Sequence, residues 1–126
     1  MNEPFPHPFD QAVALQQQAD GSWLGHTSPA YANMVGPFGG ISAAQLLQAV
    51  WLHPRRLGEP VALTVNFAVA LQAGPFQIEA IAVRTNRSTQ HWTLAMRQHG
   101  EVCMTGTAIT AVRRDTWSVD DEAMPD

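Results

Sequence analysis

The residues with the clearest chemical potential are the run Gly36-Pro37-Phe38-Gly39-Gly40, which opens an uncharged stretch reaching Leu52. A helix that starts there presents backbone N–H groups without intrahelical partners, together with the positive end of its dipole. Negative charge that builds on a carbonyl oxygen under attack is stabilised by such a donor. Removing one typically costs about 10²–10³ in rate. Glycine leaves no side chain between the donor and the approaching carbonyl. The same glycines also suit a structural use, letting the helix sit close on a sheet.

Other chemistry is harder to build from this chain. His7, His26, His53, His91 and His99 show no metal-ligand spacing, so neither a metal nor another cofactor is expected. The one cysteine, Cys103, lies between Val102 and Met104 and reads as a packed thiol rather than a nucleophile.

The elements that must position the glycine run follow from hydrophobic period. In GGISAAQLLQAVWLHP, Ile41, Ala44, Leu47 and Val50 recur at helical spacing, and Leu46, Ala49 and Trp51 fill much of the remainder. Only Ser42, Gln45 and Gln48 are polar, which predicts a helix enclosed on most sides. It should stop near His53-Pro54, since the residue before a proline avoids helical geometry. Phe9 to His26 reads as a hairpin turning at Asp20-Gly21, and Thr27 to Phe38 as a loop.

After Glu59 the period falls to two. Val61, Leu63, Val65, Phe67 and Val69 share one face of a strand, with Ala62, Thr64, Asn66 and Ala68 on the other. Three further strands are expected, roughly Phe76–Thr85, Ser88–Gln98 and Glu101–Val112, joined by turns at Asn86-Arg87 and His99-Gly100. The expected class is α+β, a long antiparallel sheet wrapped around one central helix. The domain should occupy residues 1–114, with 115–126 an acidic tail or linker.

Taken in order, NMVGPFGGISAAQLL, LTVNF, NRSTQHWTLAMRQHGEVCMTGTAI and RRDTWS resemble the N-terminal hotdog domain of TesB-like (thioesterase II type) acyl-CoA thioesterases. The resemblance implies a single hotdog domain that hydrolyses an acyl-CoA thioester to free acid and CoA. It also implies pairing of sheets, as a homodimer or with a second hotdog domain, with the active site at the junction. Gly39 or Gly40 would supply the oxyanion contact. Asn33, six and seven residues before these glycines, matches a position where an amide holds water or thioester; a routine loop asparagine is the alternative. Thr64 matches a water-orienting Ser or Thr, and a β-favouring threonine is its alternative. Phe38, Asn66, Arg87 and Ser88 would contact substrate. Arg84, Arg87 and Arg97 are candidates for the CoA phosphates, against the alternative of solvated surface charge.

One part of the family pattern is missing. Hotdog thioesterases usually carry an Asp or Glu in the central helix, and that position falls at Leu47 or Gln48 here. No acid occurs between Asp20 and Glu59. Glutamine can position a water but cannot usefully take its proton. In double-hotdog relatives the C-terminal half supplies an Asp, a Thr and a Gln, and this chain resembles the N-terminal half. A non-catalytic acyl-CoA-binding or assembly half is therefore the alternative function. A hotdog dehydratase would want an Asp–His pair near the helix start, and none is present.

Bulk properties narrow the partners. The chain has 126 residues, a net charge of -4 and no basic face, which excludes phosphate-backbone recognition of nucleic acid. The apolar stretch is short for a bilayer and contains Ser42, Gln45 and Gln48, so no membrane span is expected. A lone thiol and an N-terminus without a leader pattern fit a cytoplasmic setting. Only 14% of residues are charged, which predicts that another subunit or domain covers part of the surface.

Overall fold

The computed structural model describes residues 13–27, 32–33, 36–37 and 39–113. The chain forms β1 (Gln16–Gln17), β2 (Trp23–His26), β3 (Ala32–Asn33), β4 (Gly36–Pro37) and α1 (Gly39–Trp51). It continues through β5 (Glu59–Phe67), β6 (Pro75–Thr85), β7 (Thr89–Gln98) and β8 (Glu101–Ala111). Six strands make one antiparallel sheet in the order β1-β2-β6-β7-β8-β5, and β3 with β4 forms a separate small hairpin. Among the described residues no helix is long and apolar enough to cross a membrane.

The hairpin turns match their sequence signals. At Asp20-Gly21 the carboxylate accepts from the Ser22 N–H at 2.9 Å and from its hydroxyl at 2.7 Å. These bonds hold the Asp20 carboxyl below its ordinary pKa. Between β7 and β8, His99 and Gly100 both adopt positive φ, 54° and 77°, the geometry whose twist suits a two-residue hairpin.

One face of the sheet carries the core. Trp92, Leu94 and Met96 of β7 alternate inward and meet Ala108 and Met104 of β8 and Ile78 and Phe76 of β6. Leu46, Ala49 and Val50 of α1 close over them, with Leu63 and Val65 of β5 at the side. Full burial of each large aliphatic side chain contributes about 1.5–3 kcal/mol. Gly106 of β8 leaves room for the neighbouring strand, since a Cβ there would stand 2.8 Å from the Thr64 carbonyl oxygen of β5.

Two buried glutamines fix the sheet ends. Gln90 accepts from the Leu57 N–H at 2.7 Å and donates to the Arg55 carbonyl and the Thr85 hydroxyl, both at 3.0 Å. Gln98, at the other end of β7, accepts from the Gln72 N–H and donates to the Gln72 and Pro75 carbonyls. Each satisfies backbone groups of a connection that has no strand partner.

Three details depart from the sequence reading. The strand expected to run on past Phe67 stops there, because the Ala68 and Val69 N–H groups both converge on the Cys103 carbonyl. Within the expected loop Thr27–Phe38, Asn33 pairs with Gly36 in the β3–β4 hairpin. The polar residues of α1 do not mark its open side: Ser42 and Gln45 are buried, while Trp51 is 43% exposed. Gln45 instead donates to the His26 carbonyl of β2 at 3.4 Å.

Candidate functional site

The helix begins at Gly39, directly after the β3–β4 hairpin, with no acidic residue in its first turn. Its first donors therefore face no carboxylate of their own turn. The hairpin register sets the Asn33 backbone opposite Gly36, three residues before the helix. Phe38 lies outside the described residues.

The direction of α1 follows from its contacts. Gln45 bonds His26, which pairs with Pro75, whereas His53 just past the helix packs its ring edge-on against Trp92 at 4.8 Å. The helix start thus lies toward the sheet end that holds Pro75 and Gln98, and the helix terminus toward Gln90.

Against that axis the remaining candidates separate. Arg84 donates to Asn86 at 2.9 Å, and Arg87 and Ser88 lie in the same β6–β7 turn, at the far end from Gly39 and Gly40. Arg97 is at the near end but is engaged by Glu79 at 3.4 Å. Thr64 and Asn66 pair with Thr107 and Thr105, while their neighbours Leu63 and Val65 enter the core below Leu46. Strict alternation along β5 turns Thr64 and Asn66 to the sheet face away from α1. Within one chain the structure does not bring Thr64, Asn66, Arg87 or Ser88 to the helix start.

It does reveal a groove on the outer side of the helix. A depression of about 240 Å³ is lined by Val13, Ala44, Leu47, Gln48 and Trp51. This is where the sequence places the missing acid, so the groove is walled mainly by apolar groups with one amide. Val13 and Trp51 were not singled out by sequence reasoning. The Leu47–Trp51 spacing of four residues was the available signal for the open stripe.

The helix terminus is closed by Arg56, whose guanidinium stacks on Trp51 at 4.1 Å and donates to the Trp51 carbonyl at 2.8 Å. It also donates to the Gly58 carbonyl. A cation here offsets the negative end of the helix dipole. His53 accepts from the Arg55 N–H at 3.1 Å. Burial, reinforced by the charge of Arg55, lowers its pKa from the ordinary histidine value. Burial, with the nearby Glu101 charge, raises that of the Cys103 thiol, which is buried and free. Among the described residues no His, Cys, Asp and Glu group could hold a metal ion.

Residues 28–111 match the model of the acyl-CoA thioesterase N-terminal domain. The chain belongs to this family. The chain is 54% identical to a conserved protein with a hot dog fold from Alicyclobacillus acidocaldarius, with a TM-score of 0.83. That match covers 97% of this chain and 46% of the other. An acyl-CoA thioesterase II from Mycobacterium marinum is 20% identical over 85% of this chain and 39% of its own, with a TM-score of 0.71. A Bacillus halodurans protein solved with CoA is 18% identical over 90% of this chain and 83% of its own, at 0.73. No curated protein sequence matches this chain. One helix against a six-stranded antiparallel sheet is thus the hotdog fold, as the sequence motifs implied. The chain spans less than half the length of the Alicyclobacillus and Mycobacterium chains.

Proposed function

We propose that this chain is one half of an acyl-CoA thioester hydrolase, completed by a second hotdog unit. The observation that carries this reading is the helix start: α1 opens on two glycines, in a domain of the acyl-CoA thioesterase family. An N–H of Gly39 or Gly40 would hold the thioester carbonyl oxygen as a tetrahedral oxyanion forms. Water adds to the carbonyl carbon, the C–S bond breaks, and the thiolate leaves as CoA. Asn33 would position the water. The groove beside Leu47 and Trp51 offers apolar walls to the acyl group.

The proton acceptor would come from the second unit, because α1 carries no acid. The second unit is then a different hotdog half that carries the acid, as the greater length of the Alicyclobacillus relative suggests, while another copy would have to supply its acid from outside α1. Among the described residues strand β5 forms one edge of the sheet with no strand on its outer side, the natural place for two sheets to join. Antiparallel joining there would turn the Arg87 and Ser88 end of one unit toward the helix start of the other. That arrangement would gather candidates that a single chain keeps apart. Thr64 and Asn66 would contribute only through contacts with the second unit. A cytoplasmic role in fatty-acid metabolism suits a CoA-thioester substrate and a reduced, buried Cys103.

The second reading, a non-catalytic acyl-CoA-binding half, is favoured by Gln48 in the place of an acid. A series of short, medium, long and aromatic acyl-CoAs separates the two, with CoA release and calorimetric binding measured together. Turnover by the assembled protein supports the hydrolase. Binding without turnover, in the presence of a second hotdog unit carrying the acid, supports the alternative and rejects the first.

A further inference from the structure

The open side of α1 is an apolar track with a built end. Ala43, Ala44, Leu47 and Gln48 are partly buried, and Trp51, the last residue of the helix, is exposed. Spacings of three and four residues align them in one groove along the helix axis. Val13 packs on Ile41 and Ala44, so it walls the groove near the glycine end. Trp51 stands at the other end of the lining, about 10 Å beyond Ala44 along the axis. Helical side chains lean toward the N-terminus, which tilts the indole back over the groove. Among the described residues the lining carries no charge.

We infer that Trp51 is the chain-length stop for the acyl group, and that Arg56 is the positioning residue that holds it. On the hydrolase reading, which supplies the substrate, the thioester carbonyl lies at Gly39 or Gly40 and the acyl chain runs along the groove toward Trp51. An extended chain advances about 1.3 Å per bond, from the roughly 3.8 Å spanned by three backbone bonds. The stretch from Ala44 to Trp51 therefore takes about eight carbons, and that from Gly40 about twelve. The groove volume of about 240 Å³ agrees, being room for about eight groups of roughly 30 Å³ each. The substrate class is thus medium-chain, ending at about twelve carbons. A stop must not swing aside. Arg56 stacks on the indole at 4.1 Å and is itself held by bonds to the Trp51 and Gly58 carbonyls. Gly58 has a φ of 77° and lies against the Ala111 backbone of β8 with no room for a Cβ. The ring is thereby tied to the sheet through the connection that follows the helix. Leu52, similarly exposed, is outside the lining.

The test is a straight-chain series from butyryl-CoA to palmitoyl-CoA, with kcat/KM and calorimetric Kd measured on the assembled protein. In wild type each added methylene should improve both about fourfold until the groove is full, after which neither improves. Trp51→Ala should move this break to longer chains, the first chains past it gaining about fourfold per further methylene. Arg56→Met, which removes the bonds and the stacked cation, should move the break the same way. Arg56→Lys keeps a cation over the ring and should lie closer to wild type. An Arg56 that only stabilised the fold would lower Tm and leave the break in place. Leu52→Ala should keep the wild-type break, and circular dichroism checks that each variant stays folded. A wild-type series with no break up to palmitoyl-CoA overturns the stop, as does an unmoved break in folded Trp51→Ala. An unmoved break in folded Arg56→Met overturns the positioning role. If no chain is turned over, the hydrolase reading fails and the Kd series decides. A break in Kd that Trp51→Ala shifts upholds the stop, and no break, or no binding, overturns it.

Discussion

Replacing Gln90 by leucine should loosen the connection that leads from α1 into β5. The leucine side chain is close in volume, so the perturbation is chemical rather than steric. Gln90 is 2% exposed, and its amide serves the Leu57 N–H, the Arg55 carbonyl and the Thr85 and Thr110 hydroxyls. Thr110 still accepts from Trp92 at 3.2 Å, but its own O–H loses the Gln90 acceptor. The Thr85 hydroxyl is at an exposed strand end and can turn to water. The Leu57 N–H and Arg55 carbonyl lose the partner that satisfies them. Each partly buried orphan costs about 1–3 kcal/mol, so the sum is about 2–4 kcal/mol after partial hydration. For a chain of this length that is a fall in Tm of about 6–16 °C. Urea denaturation followed by circular dichroism measures the loss, with Gln16→Leu, at an exposed position, as the near-neutral control. A loss for Gln90→Leu below about 0.5 kcal/mol, equal to the control, would refute the claim that this side chain anchors the connection.

Gly58→Ala should destabilise by more than about 1 kcal/mol in the same assay, since φ is 77° and the new Cβ would lie 2.2 Å from the Ala111 backbone. His53 has a lowered pKa when folded, so the unfolded chain takes up its proton first as pH falls. Stability from this group is complete above the ordinary value near 6.5 and declines as pH drops from there toward the folded pKa. Tm measured between pH 7.5 and 5 should therefore fall less in His53→Gln than in wild type; parallel curves would remove His53 from the account. Gln48→Glu places a carboxylate in the helix groove, where a general base typically contributes about 10²–10⁴-fold. Acyl-CoA hydrolysis should rise in this variant, and unchanged kcat with intact substrate binding would place the reacting carbonyl elsewhere.

Much of the fold was legible because each element carries a clean period. The four long strands alternate with period two, and Asp20-Gly21 and His99-Gly100 punctuate them where the structure turns. The uncharged run after Gly40 could only be a largely covered helix. Pairings between distant residues were not legible. Nothing in a one-dimensional pattern says that Gln90 and Gln98 bond loops more than twenty residues away. Nor does it say which side of α1 stays open, since Ser42 and Gln45 are polar yet turned inward, and Trp51 is apolar yet half-exposed. Thr64 illustrates the limit for the site: its strand and face were readable from alternation, but its distance from the helix start depends on which face α1 covers.

The central claim is that backbone donors at Gly39 and Gly40 stabilise the oxyanion of a thioester under attack. Proline is tolerated in the first turn of a helix and deletes the N–H of the residue it replaces. Gly39→Pro and Gly40→Pro, assayed separately for CoA release in the assembled protein, test the donors directly. The account predicts that one of the two lowers kcat by about 10²–10³ while Tm and acyl-CoA binding stay close to wild type. Wild-type turnover in both folded variants, or no turnover of any acyl-CoA by the assembled protein, would contradict it.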